Sequence, residues 1–276
     1  MQHATLHRIA LIAMHGLMLF AVVLSVFPIA YLFLLSFKPA QLTFDPSAWI
    51  FEPTLENYEA VLEGGDFTRY MLNSLIVSTF TMLIALALGS FAAYGFARFR
   101  FRGNFWLRMS MLVPQMLPPI TIIVPLYVLF MRLDMLDTRQ GLIVSYLTFT
   151  LPLATWMMTG FFEDVPVELE ESAMVDGATR LGALLRVNLP IVAPGLAATA
   201  VLSFFYAWNE FLYAVILTGR ESRTLPVTIT SYMTNKAILW GRIAAAGSIV
   251  LIPVLVFAIL TQRYLVRGLA GGAVKG

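Results

Sequence analysis

The stretch YMLNSLIVSTFTMLIALALGSFAAYGFA, residues 70–97, contains no Asp, Glu, Lys or Arg. A helix needs about 20 apolar residues to cross a hydrocarbon core of ~30 Å, and a charge at mid-bilayer costs roughly 3 kcal/mol or more. The apolar residues run continuously instead of alternating with polar ones, and lipid offers no partner to the unpaired backbone of a strand. This stretch therefore predicts a transmembrane α-helix.

Five further charge-free stretches extend the pattern along the chain. They cover residues 9–37, 109–131, 140–162, 187–209 with a continuation to 219, and 243–262. We predict an all-α, polytopic membrane protein with six transmembrane helices, forming a single transmembrane domain over residues 1–276. The first stretch is longer than the apolar region of a signal peptide and lacks a small-residue cleavage site, so we expect it to remain as an anchor helix.

Prolines interrupt three of the predicted spans. They are Pro114, Pro118 and Pro119 in the third span, Pro152 in the fourth and Pro253 in the sixth. A proline removes a backbone hydrogen bond, so kinked helices around a transport pathway are one interpretation. Simple tolerance of proline in membrane helices is the other.

The composition excludes several classes of function. Of the 276 residues, 59% are hydrophobic and 12% are charged, and lysine occurs only at positions 38, 236 and 275, so no basic face is available for nucleic acid. Cysteine is absent, and the histidines lie only at positions 3, 7 and 15. We therefore expect no thiol or imidazole chemistry in the body of the chain, and we assign no catalytic residue and no metal site.

The orientation follows from the basic residues of the short connections. The connection between the second and third spans carries Arg98, Arg100, Arg102 and Arg108, which predicts that it is cytoplasmic. An even number of crossings then places both termini in the cytoplasm. The whole count is less one-sided, with 10 basic residues inside against 8 outside.

Residues 163–189 form the only sizeable polar stretch on the predicted inner side, and they predict a helical hairpin. We expect a first helix from about 165 to 176 and a second that runs to Asn188. The residues that signal the helix ends are Asp164 and Thr179 as N-caps, Pro166 in the first turn, Gly177 at the C-terminal turn and Pro190 at the start of the fifth span.

The hairpin carries a recognisable motif: Glu171-Ser172-Ala173, three residues, Gly177, nine residues, Val187, one residue, Leu189-Pro190. It resembles the EAA signature of bacterial ABC-importer permeases, with Ser172 where alanine is usual and Val187 where isoleucine is usual. Further resemblance lies in Asp176-Gly177-Ala178, Pro194-Gly195, Trp208-Asn209-Glu210-Phe211 and residues 271–276. Together these are similar to the carbohydrate branch, and to the smaller permease subunit of the maltose importer in particular.

This resemblance implies a type I ABC importer permease fold and a role for the hairpin. Its first helix would dock in a groove of a cytoplasmic ATPase and transmit motion to the membrane. The residues implied in this coupling are Glu168, Glu171, Ser172, Ala173, Asp176, Gly177, Leu189 and Pro190. Without the motif, a solvated amphipathic loop would be the simpler interpretation.

The resemblance also implies the partners. They are a second homologous permease subunit, a cytoplasmic ATPase dimer, an extracytoplasmic solute-binding protein, membrane lipid and a small-molecule carbohydrate, with no nucleic acid. The sequence contains no Gly-Lys pair and hence no usual P-loop, so we expect no cofactor in this chain and ATP and Mg²⁺ on the partner ATPase.

Three other regions are candidates with simpler alternatives. Trp208, Asn209 and Glu210 lie near the outer end of the fifth span and could line a sugar pathway or anchor it at the interface. The tail with Gly271, Gly272 and Lys275 is too glycine-rich to predict a helix; by the resemblance it contacts the ATPase, and otherwise it frays. Residues 219–241 either meet the binding protein or simply connect two spans. The aromatic stripe of Phe91, Tyr94 and Phe99 is expected to contact lipid or pack between helices.

The sequence thus predicts a permease subunit, not an enzyme, in the bacterial inner membrane. It would import a sugar, oligosaccharide or polyol with a binding protein and a separate ATPase. The alternative is an ion-coupled secondary transporter, which normally shows intramembrane relay residues and an inverted repeat that this sequence lacks. A channel or membrane enzyme would leave the hairpin without a task.

Overall fold

The computed structural model describes residues 2–234 and 238–273, with side chains over residues 11–234, 238–259 and Gln262. Apart from one isolated antiparallel bridge between Met233 and Ile238, no strand occurs in this part of the chain. The all-α prediction is confirmed.

The helices follow one another with short connections. They are α1 (Gln2–Ser36), α2 (Glu56–Glu63), α3 (Phe67–Arg98), α4 (Asn104–Met116), α5 (Pro119–Arg132), α6 (Arg139–Glu163), α7 (Val167–Val175), α8 (Arg180–Ala183), α9 (Leu189–Ile191), α10 (Ala193–Trp208), α11 (Leu212–Leu217), α12 (Leu225–Thr230) and α13 (Trp240–Ala273). A 3₁₀ turn forms at Ala40–Leu42, and a π-helical turn at Leu184–Asn188 joins α8 to α9.

Four helical segments are long and apolar enough to cross a membrane by themselves: Leu11–Ser36, Phe67–Arg98, Arg139–Glu163 and Trp240–Ile259. Two bent helix pairs pass the same test when each is taken as one span, and they coincide with the third and fifth predicted spans. Within the described residues the chain therefore has up to six crossings, as the charge-free stretches predict.

The third span is broken between α4 and α5, whose axes differ by 92°. The break lies at Leu117 and Pro118. Both have an extended backbone, with φ −81°, ψ 138° for Leu117 and φ −57°, ψ 130° for Pro118, and this conformation cannot continue a helix. The other interrupting prolines behave differently, because Pro114, Pro152 and Pro253 lie inside α4, α6 and α13, which continue through them.

The fifth span is bent by 78° where α9 meets α10. The bend falls at Val192, just before Pro194 in the first turn of α10. The helix that precedes it includes the π turn, so the hairpin enters the membrane through an irregular segment instead of a straight helix.

The chain forms two compact units, Met1–Phe67 with Ile229–Ile252, and Thr68–Thr228 with Pro253–Gly276. In the first unit, the side-chain amide of Asn57 donates to the carbonyl oxygens of Ser36 at 3.1 Å and Lys38 at 2.9 Å, which fixes the end of α1 against α2. Gly241 lies so close to Asn57 that an added Cβ would be 2.4 Å from its Oδ1.

The second unit contains all the candidate site residues that lie inside the described chain. One cluster of buried side chains joins α5, α6 and α11 and includes Ile123, Phe130 and Tyr213. Another joins α3, α6 and the hairpin and includes Tyr94, Phe162 and Leu184. The two clusters pack the hairpin and the fifth span onto the same helix, α6.

Candidate functional site

The first helix of the hairpin is α7, and its C-terminal end is built as the sequence predicts. Gly177 has φ +89°, which L-residues with a side chain adopt only with strain. The N–H of Gly177 donates to the carbonyl of Met174 at 3.1 Å, and the N–H of Ala178 to that of Ala173 at 3.0 Å. These bonds satisfy the last carbonyls of α7 and reverse the chain.

The N-terminal end of α7 differs from the prediction. Asp164 does not cap α7; it is the C-cap of α6, and its N–H donates to the carbonyl of Gly160 at 3.1 Å. Pro166 is the N-cap instead of a first-turn residue, because its ψ of 133° is extended and the helix begins at Val167. Thr179 does cap α8, since its hydroxyl oxygen accepts the N–H of Gly182 at 3.1 Å.

A buried carboxylate, Glu170, fixes the hairpin to the membrane helices. It is 3% exposed and accepts hydrogen bonds from the Tyr94 hydroxyl, from Arg98 Nε at 2.9 Å and from Asn188 Nδ2 at 3.1 Å. Arg98 also donates to the carbonyl of Val165 at 2.9 Å. One carboxylate therefore joins α3, α7 and the π turn, and we call these four side chains the Glu170 cluster.

The chemistry of the cluster keeps Glu170 ionised. Burial by itself would raise the pKa of Glu170, but hydrogen bonds from Tyr94, Asn188 and Arg98, with the charge of Arg98, outweigh it and lower the pKa below its ordinary value. The sequence did not single out Glu170, and it placed Tyr94 in a packing stripe. No local spacing links Glu170 to Tyr94 or Arg98, which lie more than 70 positions away.

The predicted coupling residues mostly face outward from this cluster. Glu168, Glu171, Ser172, Asp176, Gly177 and Pro190 are exposed, and Ala173 and Leu189 are half-buried. The hairpin also exposes large apolar side chains, with Val175 87% exposed and Leu181 56% exposed. Exposed apolar side chains outside the spans are typical of a surface that another protein covers.

At the other end of the fifth span, Asn209 and Glu210 line a cavity of about 790 Å³. The Glu210 carboxylate accepts the N–H groups of Tyr213 at 3.0 Å and Ala214 at 3.2 Å, so it caps α11. The amide nitrogen of Asn209 donates to the carbonyl of Phe205 at 2.9 Å, which leaves its oxygen available. Aromatic side chains, among them Tyr206, form much of the remaining wall.

Trp208 does not take part in this cavity. It is 1% exposed and stacks on Phe204 with ring centroids 5.6 Å apart and an interplanar angle of 18°. The side chains of Trp208-Asn209-Glu210 therefore point in different directions, because a helix turns successive side chains by about 100°. The tryptophan packs inside the second unit, while the two polar residues reach the cavity.

A further carboxylate, Asp137, organises the connections at the cavity end. With φ +53°, it accepts the N–H groups of Gly219 at 2.8 Å, Glu221 at 3.1 Å and Ser222 at 2.9 Å. Burial would raise the pKa of Asp137, but these hydrogen bonds lower it below its ordinary value. Asp137 thus ties the α5–α6 connection to the segment that follows α11.

The predicted C-terminal contact residues lie partly outside the described chain. Gly271 and Gly272 belong to α13, which continues to Ala273, so the expectation of a non-helical tail is wrong for these positions. Each glycine costs about 1 kcal/mol in a helix, but a helix of 34 residues is already nucleated. Lys275 lies outside the described residues, as do residues 235–237 of the segment 219–241.

Among the residues that the structure describes, no group of three His, Asp or Glu could hold a metal ion.

Comparison with known proteins places this geometry in a family. Residues 85–271 match the family described as the binding-protein-dependent transport system inner membrane component. The trehalose transport system permease protein SugB of Mycobacterium tuberculosis is 37% identical over 255 residues, which are 91% of this chain and 93% of the relative. The trehalose/maltose transport system permease protein MalG of Thermococcus litoralis is 35% identical over 280 residues, with 100% of both chains covered.

The fold is also that of a solved permease. A bacterial ABC transporter involved in the import of the acidic polysaccharide alginate superposes with a TM-score of 0.74 at 22% identity, over 93% of this chain and 96% of that one. The family match and the relatives define a multi-pass transport subunit of the cell inner membrane. The chain belongs to the binding-protein-dependent transport system inner membrane components, and the carbohydrate-branch resemblance is confirmed.

Proposed function

We propose that this chain pairs with a second homologous permease and a cytoplasmic ATPase dimer to import a sugar, oligosaccharide or polyol delivered by a binding protein. ATP hydrolysis on the partner would drive transport, and this chain would hold no cofactor. The relatives support the solute class, since they are named for trehalose, trehalose/maltose and diacetylchitobiose. The arginines of the α3–α4 connection support a cytoplasmic position for the hairpin and both termini.

The observation that carries the proposal is that α7 has two unlike sides. One holds the Glu170 cluster, and the other exposes Glu171 and Val175 to a partner. A push on the outward side reaches α3 through Arg98 and the second hairpin helix through Asn188. Such a contiguous, hydrogen-bonded connection is what rigid-body coupling between an ATPase and a membrane pathway requires.

The cavity at Asn209 and Glu210 supports a carbohydrate as the solute. Sugars present hydroxyl groups for carboxylate and amide oxygens and apolar ring faces for aromatic side chains. Tyr206 and Phe149 supply such faces in the same wall. We assign Asn209 and Glu210 to the pathway and give Trp208 a packing role.

A substitution in the hairpin tests the proposal. Gly177→Arg forces a side chain onto φ +89°, although an added Cβ would meet nothing within 4 Å, so the effect acts through the backbone and the docking surface. Gly65→Arg is a matched control, since Gly65 has φ +114° and equally open surroundings but lies outside the hairpin. Both are measured as ATP-dependent uptake of labelled sugars by the complex reconstituted with the sister permease, ATPase and binding protein.

We expect Gly177→Arg to abolish uptake while the two permease subunits still assemble, and Gly65→Arg to transport at a rate close to wild type. The sugar that is taken up identifies the solute. If wild-type uptake is independent of ATP and follows an ion gradient, the chain is a secondary transporter and the proposal is wrong. If Gly177→Arg transports normally, the hairpin is not the coupling element.

A further inference from the structure

The connection between α3 and α4 forms a basic groove that the transport function does not use. The groove has a volume of about 590 Å³, and Arg100, Arg102 and Arg108 are among its lining residues. Arg108 is paired with Glu163 at 2.6 Å. Arg100 and Arg102 are exposed, and within the described part of the chain neither forms an ion pair. The groove therefore offers two unneutralised guanidinium groups.

Exposed aromatic side chains near this groove favour a position at the level of the lipid headgroups. Phe101, Phe105 and Trp106 are 42%, 62% and 74% exposed, and they flank the arginines between the second and third spans. Aromatic rings concentrate at membrane–water interfaces because one part of them is apolar and the position is partly wet. A groove at that level would bring the guanidinium groups close to the phosphate groups of the bilayer.

A second, less polar cavity adjoins the groove on the membrane side. It has a volume of about 370 Å³, lies between α4 and α6, and shares Phe96 and Arg108 with the groove. Met111 and Trp156 contribute apolar surface to its wall. A cationic groove that continues into an apolar cavity matches a molecule with an anionic end and a hydrocarbon end.

We propose that the groove and the cavity together bind one anionic phospholipid. Its phosphate lies between Arg100 and Arg102, and one acyl chain lies against Met111 and Trp156. The charge of the groove selects a headgroup with net negative charge over zwitterionic phosphatidylcholine, because only the former leaves the two arginines neutralised. The acyl chain distinguishes this site from one for free phosphate.

Native mass spectrometry of the full-length chain in detergent measures this binding directly. The protein is titrated with phosphatidylglycerol or phosphatidylcholine of the same acyl chains. We expect one phosphatidylglycerol to bind preferentially. Arg100→Gln and Arg102→Gln should each weaken the affinity for this lipid by about fivefold, and the double variant by about 25-fold. Arg132→Gln is the control, since Arg132 is exposed at the end of α5 and has no ion pair among the described residues.

Several outcomes would overturn the proposal. They are equal binding of the two lipids, equal loss in Arg132→Gln, and displacement of the lipid by inorganic phosphate at equal concentration. Loss of ATPase association in the double variant with unchanged lipid binding would make the groove a protein interface instead.

Photo-crosslinking provides a second measurement that does not depend on a variant folding. Phosphatidylglycerol with a diazirine in one acyl chain is bound to the wild-type chain and irradiated. We expect adducts on Met109, Met111, Trp156 and Met157, which line the apolar cavity. Adducts spread evenly over all spans would contradict a specific site.

Discussion

Glu170 and Glu210 are two carboxylates near opposite ends of the second unit. They have the same chemical group, but they differ in burial and in hydrogen-bond partners. Glu170 is 3% exposed and is held by a guanidinium and a phenol of α3 and by an amide of the π turn. Glu210 is half-buried, accepts two backbone N–H groups of α11, and has no ion pair among the described residues.

The difference lies in how much bonding capacity remains. A carboxylate has about four acceptor sites, and three side chains of its own protein occupy three of those of Glu170. Glu210 uses two sites for the helix end, and it lines a cavity of about 790 Å³. We infer that the satisfied carboxylate transmits force and the partly satisfied one binds solute.

The largest effect is expected from breaking the charge pair at the hairpin. Arg98→Met leaves a buried carboxylate without its cation, which should lower the free energy of unfolding by about 3–5 kcal/mol and abolish uptake. Adding Glu170→Gln removes the remaining charge and should restore much of the stability. Thermal unfolding in detergent and reconstituted uptake measure both effects, with Arg132→Met as the exposed control. Equal stability of the single and double variants would show that the pair is not coupled.

The cavity carboxylate should respond in solute affinity instead of stability. Glu210→Gln keeps an oxygen for the N–H groups of α11 but loses the charge, and Asn209→Ala loses an acceptor. We expect the KM for the sugar to rise about tenfold in each, as for a hydrogen bond of about 1.5 kcal/mol, with thermal unfolding nearly unchanged. Trp208→Phe should show the reverse, a lower unfolding temperature and an unchanged KM. Normal transport by both polar variants in assembled complexes would remove these residues from the pathway.

A smaller effect on stability is expected when either of two tyrosine hydroxyls is removed. Tyr94→Phe removes a hydrogen bond to an ionised carboxylate and should destabilise the protein by about 1.5–2 kcal/mol. Tyr213→Phe removes a weak contact with Thr148 at 3.4 Å and should cost well under half of that. Denaturation of the two variants under the same conditions gives the difference. Equal costs would mean that the charge of Glu170 adds nothing to the Tyr94 bond.

The smallest effect is a pH dependence of the hairpin. Because the pKa of Glu170 is lowered in the folded state, its contribution is complete above the ordinary value of 4.5 and is lost as the pH falls through the folded value. Hydrogen exchange of the α7 amides, corrected for intrinsic rates, should accelerate between about pH 5 and pH 3 in wild type. Glu170→Gln should remove this acceleration. A persistent acceleration would assign it to another acid.

Local signals in the sequence predicted much of this structure. The six charge-free stretches, the left-handed turn at Gly177 and the cap at Thr179 each depend on residues within one element. Contacts across the chain could not be predicted in this way. Asp164 has the chemistry of an N-cap, but the missing N–H and extended backbone of Pro166 move the helix start past it.

The same limit explains the missed and divided site residues. Glu170 is one acidic residue among several in a polar segment, and only its distance of 2.9 Å to Arg98 separates it from its neighbours. Two members of the motif at residues 208–210 line a cavity, and their place in a sugar pathway stays a prediction. The direction of the Trp208 side chain depends on its packing against Phe204, which has no signature in the sequence.

The π turn at Leu184–Asn188 has a consequence for how the length of this segment can change. A π turn holds one residue more than an α turn, so it is equivalent to an insertion that an otherwise regular helix has absorbed. Deleting one residue of this turn should therefore convert it into an α turn and leave the helical residues on both sides in phase. A deletion in a neighbouring α-helical turn has no such reserve and would rotate everything beyond it by about 100°. The π turn is therefore the place in the hairpin where a change of length by one residue should be tolerated best, provided that Asn188 keeps its bond to Glu170.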